Sequence, residues 1–472
     1  MSKTLVMKFG GTSVGSVDAL KSATQIIRDA KKDWERVVVV TSAMSGVTNL
    51  LLDSAASASH GQVDTLPQAE SALREKHFTA ADALIKDESL REQTKAEINT
   101  LILSLVDLCK AIAVLGEASP RAMDTVASLG ERMSVRLLAA VVHDAGIPAH
   151  GIESTEFVVT NANFQNAHPD FKVTTEKTRG KLNPLMDKGI VPITTGFIGA
   201  TPEGAITTLG RGGSDYSAAI IGAVLPANDV WIWTDVDGVM TTDPRIVPNA
   251  ITLPEINYSE IAELAYYGAK VLHPKTIRPV LDAGIGLRIC NTFNPSHPGT
   301  RLIASPKTNG KVDGKVIKAV TAIRKQRLIT IEGRGMLGVP GVAARAFGAV
   351  ASTGTSVPLI TQASSEQSIC FAVPSELASG VLSALERSFA REIEDEDIDR
   401  VWATEDVSIV TVVGAGMRHT HGVAGKVFSQ LGNNDVNVLA IAQGSSEVSI
   451  SLVVDAADTE NAVKALHELI VQ

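Results

Sequence analysis

Cysteine is scarce in this chain. Cys109, Cys290 and Cys370 are three in 472 residues, and none falls in a C-x-x-C pair. That spacing argues against a zinc ribbon and a disulfide framework and reads as separate reduced thiols. Aromatic residues make up only 4%, so a core has to come from Val, Ile, Leu and Ala. The net charge is −9 and no run of Lys or Arg stands out, which argues against a general nucleic-acid binder and leaves any phosphate recognition to a local site. The N-terminus enters a strand pattern with no basic segment followed by an apolar one. The most apolar helical stretch, Leu101 to Gly116, carries Asp107 and Lys110 and is shorter than a bilayer span requires. The expectation is a cytoplasmic protein without membrane contact. The zinc motif H-E-x-x-H is missing as well.

What is present is alternation. Thr4–Phe9 is followed by a helical pattern over Val17–Asp33. Arg36–Ser42 (RVVVVTS), Ile190–Gly196 (IVPITTG) and Asp229–Asp235 (DVWIWTD) are short, continuous and β-branched. Strands of this kind separated by helices predict an α/β fold with a mostly parallel sheet covered on both faces. Trp231 and Trp233 alternate along one of them and read as core. Residues from about Leu66 to Gly146 lack the alternation and read as helical, with Ser119-Pro120 as a helix start.

Near Ile303–Gly314 the composition turns polar (SPKTNGKVDG) and reads as a linker. Beyond it lies an internal repeat. Gly333-Arg-Gly-Met336 and Gly414-Ala-Gly-Met417 are 81 positions apart, and the same offset relates Gly341-Val-Ala343 to Gly422-Val-Ala424, Phe347 to Phe428, and Gln362-Ala-Ser-Ser-Glu366 to Gln443-Gly-Ser-Ser-Glu447. Two copies of one small module therefore stand in tandem. Strand, Gly-rich turn, helix, strand, strand and helix within each copy fit a ferredoxin-like βαββαβ plan. Gly333–Gly338 satisfies G-x-G-x-x-G, but His419 replaces the third glycine in the second copy, so the run reads as a structural turn rather than a dinucleotide site. The boundaries expected are 1–305, 316–398 and 399–472.

Four polar clusters sit where strands of the first domain end. They are Lys8-Phe-Gly10-Gly11-Thr-Ser13, Thr41-Ser42-Ala-Met-Ser45-Gly46-Val-Thr48, Thr208-Leu-Gly210-Arg211-Gly212-Gly213-Ser214-Asp215, and Thr234-Asp235-Val-Asp237-Gly238 running on to Arg245. Carboxyl ends of parallel strands share one edge of the sheet, where ligands bind. Backbone N–H groups of small-residue turns suit phosphate oxygens, and a lysine supplies charge where negative charge spreads in phosphoryl transfer. The lysine precedes the glycines, so the first cluster is not a P-loop. Asp235–Gly238 lacks the glycine spacing and final Glu of a calcium loop, and no metal site within the protein is expected. His273 reads as a helix-end residue, and His419 and His421 as solvated loop residues.

The motifs KFGGTSV (Lys8–Val14), RGGSD (Arg211–Asp215), TDVDGV…TTDPR (Thr234–Arg245) and GAKVLHP (Gly268–Pro274), in this order, resemble the aspartokinases of the amino-acid-kinase fold, and the repeat resembles the paired ACT modules of that family. The resemblance implies an αβα sandwich kinase domain followed by two ACT modules, and transfer of a phosphoryl group from MgATP to L-aspartate. It implies Lys8 at the transferring phosphoryl group and Asp215 orienting the lysines. Gly10 and Gly11 approach the nucleotide by backbone. Ser42, Thr48, Glu131, Arg211, Gly212, Gly213 and Ser214 hold aspartate, Arg211 at the α-carboxylate and Glu131 at the α-ammonium. Thr234, Asp235, Met240, Arg245, Lys270 and Val271 line the nucleotide site. Met240 departs from the Tyr of many relatives. Mg²⁺ is the expected cofactor, accompanying ATP. Gln362 and Gln443 mark the expected effector sites; ITQASSE and IAQGSSE look most like threonine-responsive modules, which favours threonine over lysine as effector. A homodimer or larger homo-oligomer through the ACT modules is implied. The rival readings are another amino-acid kinase, of the glutamate kinase type, and a non-catalytic amino-acid-binding regulator.

Overall fold

The computed structural model describes residues 3–267, 272–303, 316–362, 367–444 and 448–471. The linker and the Ser-Ser-Glu runs after Gln362 and Gln443 lie largely outside them. Two compact units interleave in sequence: Met1–Val239, Thr252–Tyr258 and Val271–Ser305 form one, and Met240–Ile251, Ser259–Lys270 and Pro306–Gln472 the other. Two short segments inside the expected 1–305 stretch thus fold with the C-terminal part.

The first unit opens with β1 (Thr4–Phe9), α1 (Val17–Asp33) and β2 (Arg36–Thr41), followed by four helices, α2 (Val47–Ser59), α3 (Leu66–Leu84), α4 (Glu88–Leu115) and α5 (Pro120–Asp144). Then come β3 (Ala149–Ile152), α6 (Phe171–Asp187), β4 (Val191–Thr195), the hairpin β5 (Ile198–Ala200) and β6 (Ile206–Thr208), α7 (Gly213–Val224) and β7 (Asp229–Thr234). The remaining elements are β8 (Glu255–Asn257), α8 (Tyr258–Tyr266, in the second unit from Ser259), α9 (Pro274–Asp282), β9 (Gly286–Asn291) and β10 (Thr300–Ile303). Local chemistry fixes the helix starts. The Ser16, Asp87 and Ser119 side chains accept the N–H groups of Ala19, Leu90 and Ala122, with Pro120 at the first helical position after Ser119.

Eight strands form one sheet in the order β3-β4-β2-β1-β7-β9-β10-β8, parallel except where β10 runs against β9. Strands β1, β2 and β4 are almost wholly buried, as apolar runs in a sheet covered on both faces must be. Phe9 pairs with Trp233 and Met7 with Trp231 across β1 and β7. Phe9 stacks on Trp233 at 6.1 Å, and Trp231 meets Trp233 and Trp34 edge to face.

The length argument for the apolar helix does not hold. Helix α4 has 28 residues and is long and apolar enough to cross a bilayer. Its buried residues Thr94, Ile98, Leu101, Ile102, Leu105, Cys109 and Ile112 instead recur at helical spacing and form a stripe packed among α2, α3 and α5. The apolar window read from the sequence begins about four turns too late, because Glu88 to Thr100 is charged on its outer face.

The second unit contains β11 (Ala319–Glu332), α10 (Val342–Ser352), β12 (Leu359–Gln362), β13 (Ser368–Pro374), α11 (Ala378–Ser388), α12 (Ala390–Glu394) and β14 (Arg400–Ala403), then β15 (Val407–Val413), α13 (Val423–Asn433), β16 (Ala440–Ala442), β17 (Ser449–Asp455) and α14 (Thr459–Val471). Its strands make a single sheet, β12-β13-β11-β15-β17-β16, with β14 also on β11. The two copies are not separate. The second half of β11 pairs with β13 and β14, whereas Ala319–Ile323 pair with β15. The first half of β11 thus stands where the fourth strand of the second copy belongs, and β14, beyond the expected boundary at 398, completes the first. The ladder shifts register between Ile323 and Gln326, where Lys325 has a φ of 56°. The Gly333–Gly338 turn is structural: a Cβ on Gly333 or Gly335 would collide with Asp397.

The segment after Val239 is built into the second module. Thr241 O accepts the Val320 N–H at 2.8 Å, Thr241 Oγ1 lies 2.9 Å from His467 Nε2, and Ile246 and Val247 join the core formed by Val320, Val410, Val427 and Leu466. Glu260 accepts from the Lys318 ammonium at 2.8 Å and the Ala415 N–H at 2.9 Å.

Candidate active site

Three neighbouring strands hand their carboxyl ends to turns through main-chain hydrogen bonds. Gly10 N donates to Trp233 O, Ser42 N to Phe9 O, and Gly196 N to Thr41 O, at 2.8 to 3.1 Å. The turns after β1, β2 and β4 are thereby stacked along one edge. Helix α7 starts at the same edge. Its N-cap is Gly212, at φ 71°, where any Cβ would lie 2.7 Å from the Cβ of His273. A side chain there meets both backbone strain and a clash. Gly196 is held to glycine by contact instead, since a Cβ would touch Ser214 at 2.7 Å.

These turns and α5 surround a cavity of about 790 Å³. Lys8, Gly11, Ser42, Thr48, Glu131, Arg211, Gly212, Gly213, Ser214 and Asp215 all line it. Lys8 comes from β1 and alternates with the buried Met7 and Phe9. Its Nζ lies 2.5 Å from Asp215 Oδ1, with only 10% and 16% of the two side chains exposed. Asp215 occupies the first turn of α7, where the helix dipole favours a carboxylate. Glu131 is buried on α5. Its Oε1 accepts the Ala43 N–H at 3.2 Å while Oε2 has no partner among the described residues. Burial pushes its carboxyl up to about 8, against the opposing pull of the Ala43 N–H and the Lys8 charge. Arg211 is exposed at the rim. Helix α2 begins at Gly46 without a side-chain cap, and its first-turn residues Thr48 and Asn49 complete the wall.

Other expected residues either do not line this cavity or fall outside the described residues. Gly10 stands beside Lys8, so close that a Cβ on it would lie 3.4 Å from Nζ. Thr234 and Asp235 end β7, with Thr234 Oγ1 donating to Asp235 Oδ1 at 3.2 Å. Neither residue, nor Gly10, lines the cavity. Met240 and Arg245 belong to the second unit, where Asp243 grips the Arg245 guanidinium with distances down to 2.6 Å. Lys270 and Val271 lie outside the described residues. His273 caps α9 by accepting the Lys275 N–H, and burial together with the Lys275 and Arg211 charges lowers its pKa, in keeping with a neutral cap. Gly11-Thr-Ser13-Val-Gly15 spells the nucleophile-elbow pattern, yet Ser13 is fully buried and bonded to Trp233 O and Thr292 Oγ1, away from the cavity. Among the described residues no group of three or more His, Cys, Asp or Glu is placed to hold a metal ion.

Asp124, Gln165 and Phe197 also line the cavity with no sequence motif to mark them; Thr208, which opens the third polar cluster, lines it too. Asp124 precedes Glu131 by seven residues on α5, a spacing that puts both on one helix face.

The amino acid kinase family model matches residues 3–291, and an ACT domain model matches 329–389 and 410–469. Aspartokinase 1 (chloroplastic) of Arabidopsis thaliana is 35% identical over 472 residues, covering 98% of this chain and 80% of that protein. The chain belongs to the aspartokinase family. A bifunctional aspartokinase/homoserine dehydrogenase of Daucus carota is 38% identical over 468 residues, 98% of this chain and 50% of its own; the chain spans about half the length of such bifunctional relatives. Among solved aspartokinase structures, E. coli aspartokinase III in complex with aspartate and ADP (R-state) aligns over the whole of both chains with a TM-score of 0.81 at 32% identity. The same enzyme with lysine and aspartate (T-state) aligns at 0.78. The aspartokinase fold, kinase sheet and ACT-type antiparallel sheet together, is therefore that of this chain.

Proposed function

We propose that this chain phosphorylates the side-chain carboxylate of L-aspartate with MgATP, giving 4-phospho-L-aspartate and ADP. The observation that carries the reading is the cavity that joins Lys8 and its partner Asp215 to Glu131 and Arg211. A buried carboxylate and a rim guanidinium are the two groups an α-amino acid needs at its ammonium and carboxylate ends. The side-chain carboxylate is then left toward Lys8. With an ordinary pKa near 4 it is already ionised at neutral pH, so no general base is required. One of its oxygens forms a bond to the γ-phosphorus as the bond to the ADP oxygen breaks, and the Lys8 ammonium offsets the charge on the phosphoryl oxygens. Asp215 holds that ammonium in place. Mg²⁺ in such sites keeps mostly phosphate and water ligands and takes one or two carboxylates; Asp215, whose Oδ1 pairs with Lys8, would offer its other oxygen as such a carboxylate, and the ion would neutralise the triphosphate.

A coupled ADP-release assay offering L-aspartate or L-glutamate tests the reading. Turnover with aspartate is expected, and turnover with glutamate alone would replace it by a glutamate-kinase function. Arg211→Ala is expected to raise the KM for aspartate about 10- to 100-fold, the loss of a charge-assisted pair, with the KM for ATP little changed. A shift in the ATP constant alone would remove Arg211 from the acceptor site.

The same proposal includes feedback control at the head of the lysine, threonine and methionine routes. Beside Gln362 lies a cavity of about 360 Å³ lined by Met336, Pro340, Gly341 and Ile369, where the uncapped start of α10 offers N–H groups to a carboxylate. The Gln362 and Gln443 sequence contexts, which resemble threonine-responsive modules, favour threonine as the effector, with lysine, bound in the T-state E. coli aspartokinase III, as the competitor. Exposed Ile360, Leu439 and Ile441 on or beside the edge strands β12 and β16 favour self-association there. Millimolar threonine is expected to inhibit turnover more than lysine does; insensitivity to both would leave the repeat as an assembly device.

A further inference from the structure

Resting on the aspartate-kinase reading, we infer that Asp124 is a positioning residue that sets the distance between the ammonium and carboxylate ends of the acceptor site. The residue is 1% exposed, yet both carboxyl oxygens are occupied. Oδ2 accepts the N–H groups of Thr208 and Gln165, each at 2.9 Å, and Oδ1 accepts the Thr208 hydroxyl at 2.7 Å. Thr208 ends β6, three residues before Arg211. Gln165 has a φ of 66°, a conformation that costs a non-glycine residue free energy and persists only where the surroundings impose it. The loop it belongs to lies against the turn before Arg211, because a Cβ on Gly210 would meet Gln165 O and Asn166 Oδ1 at 3.0 Å. Asp124 therefore ties two chain segments that flank the Arg211 turn to α5.

Helix α5 is also the element that carries Glu131. Two helical turns separate the residues, roughly 10 Å along the axis. One rigid helix thus presents Glu131 to the ammonium and, through Asp124, braces the turn that carries Arg211. Burial raises the Asp124 carboxyl above its ordinary value while its three donors oppose the rise. The bracing needs acceptors in these positions, not a negative charge.

Asp124→Ala is expected to raise the KM for aspartate about tenfold or more, as a misplaced binding group does, with the KM for ATP unchanged. Asp124→Asn keeps one oxygen for the two backbone N–H groups and turns its NH₂ to the Thr208 hydroxyl, which reverses to accept. It is expected to stay within about threefold of wild type in both constants. Thr208→Val, which removes only the hydroxyl bond, should raise the aspartate KM by a smaller factor and keeps the proposal testable should Asp124→Ala fail to fold. Equal changes in the ATP and aspartate constants, an unchanged aspartate KM in both Asp124→Ala and Thr208→Val, or an Asp124→Asn enzyme as impaired as the Ala variant would each overturn the role. A wild-type enzyme inert toward aspartate would instead overturn the reading beneath it.

Discussion

Lys8→Ala is expected to reduce kcat about 10²- to 10³-fold, the scale of losing one preorganised charge at a developing anion, while the KM for ATP moves by less than about threefold. The ammonium sits at the base of the acceptor cavity, and its interaction grows as charge spreads over the phosphoryl oxygens rather than on binding alone. A structural complication has to be separated from the catalytic one. Lys8 and Asp215 form a largely buried pair at 2.5 Å, and removing one partner of such a pair destabilises by about 3–5 kcal/mol. Lys8→Ala with Asp215→Asn removes the orphaned charge. The double variant should regain much of the lost thermal stability and none of the lost turnover. Turnover that returned together with stability would show that Lys8 serves the fold only.

The second large effect concerns Glu131. Glu131→Gln is expected to raise the KM for aspartate about 10- to 100-fold, since the ammonium loses its charged partner. In the wild-type enzyme the buried carboxyl, held up to about 8, is largely protonated at neutral pH. Binding an ammonium requires the ionised form, so aspartate binding should release a proton and the aspartate KM should fall as pH rises from about 6.5 to about 8.5. Stability runs the other way. The folded state holds a proton that the unfolded chain releases above the ordinary value of 4.5, so this group costs stability as pH rises from 4.5 to about 8, at about 1.4 kcal/mol per pH unit, and no more beyond. Glu131→Gln should therefore melt higher than wild type, by a margin that widens to about pH 8 and then stays level. A pH-independent aspartate KM in wild type, with equal melting temperatures for the two proteins across that range, would refute the assignment.

Much of the kinase sheet could be read from residues because its strands are buried on both faces. Arg36–Ser42 and Ile190–Gly196 carry no solvent-facing alternation to confuse them with amphipathic helices, and the structure places strands at Arg36–Thr41 and Val191–Thr195. Cavity-lining residues in glycine-rich turns were legible for a related reason: small residues outside a strand or helix need a local cause. Asp124 had no such cause. A single acid within a helical pattern looks like a solvated residue, and its partners Gln165 and Thr208 are 41 and 84 positions away. The placement of Met240–Ile251 was equally hidden, since Ile246 and Val247 look like any short apolar pair until Val320 and Leu466 enclose them. The repeat misled in one respect. An 81-residue offset implies two complete modules, yet pairing partners are chosen in three dimensions, and β11 was long enough to serve both.

That shared strand makes the tandem copies inseparable as folding units. A cut anywhere near residue 398 strands half of a ladder on the wrong fragment: the upstream piece keeps Ala319–Ile323 with nothing to pair against, and the downstream piece loses the edge that covers Val407–Val413. Neither copy could be lifted out and grafted onto another enzyme by itself, and what nature duplicated must now be inherited as a whole.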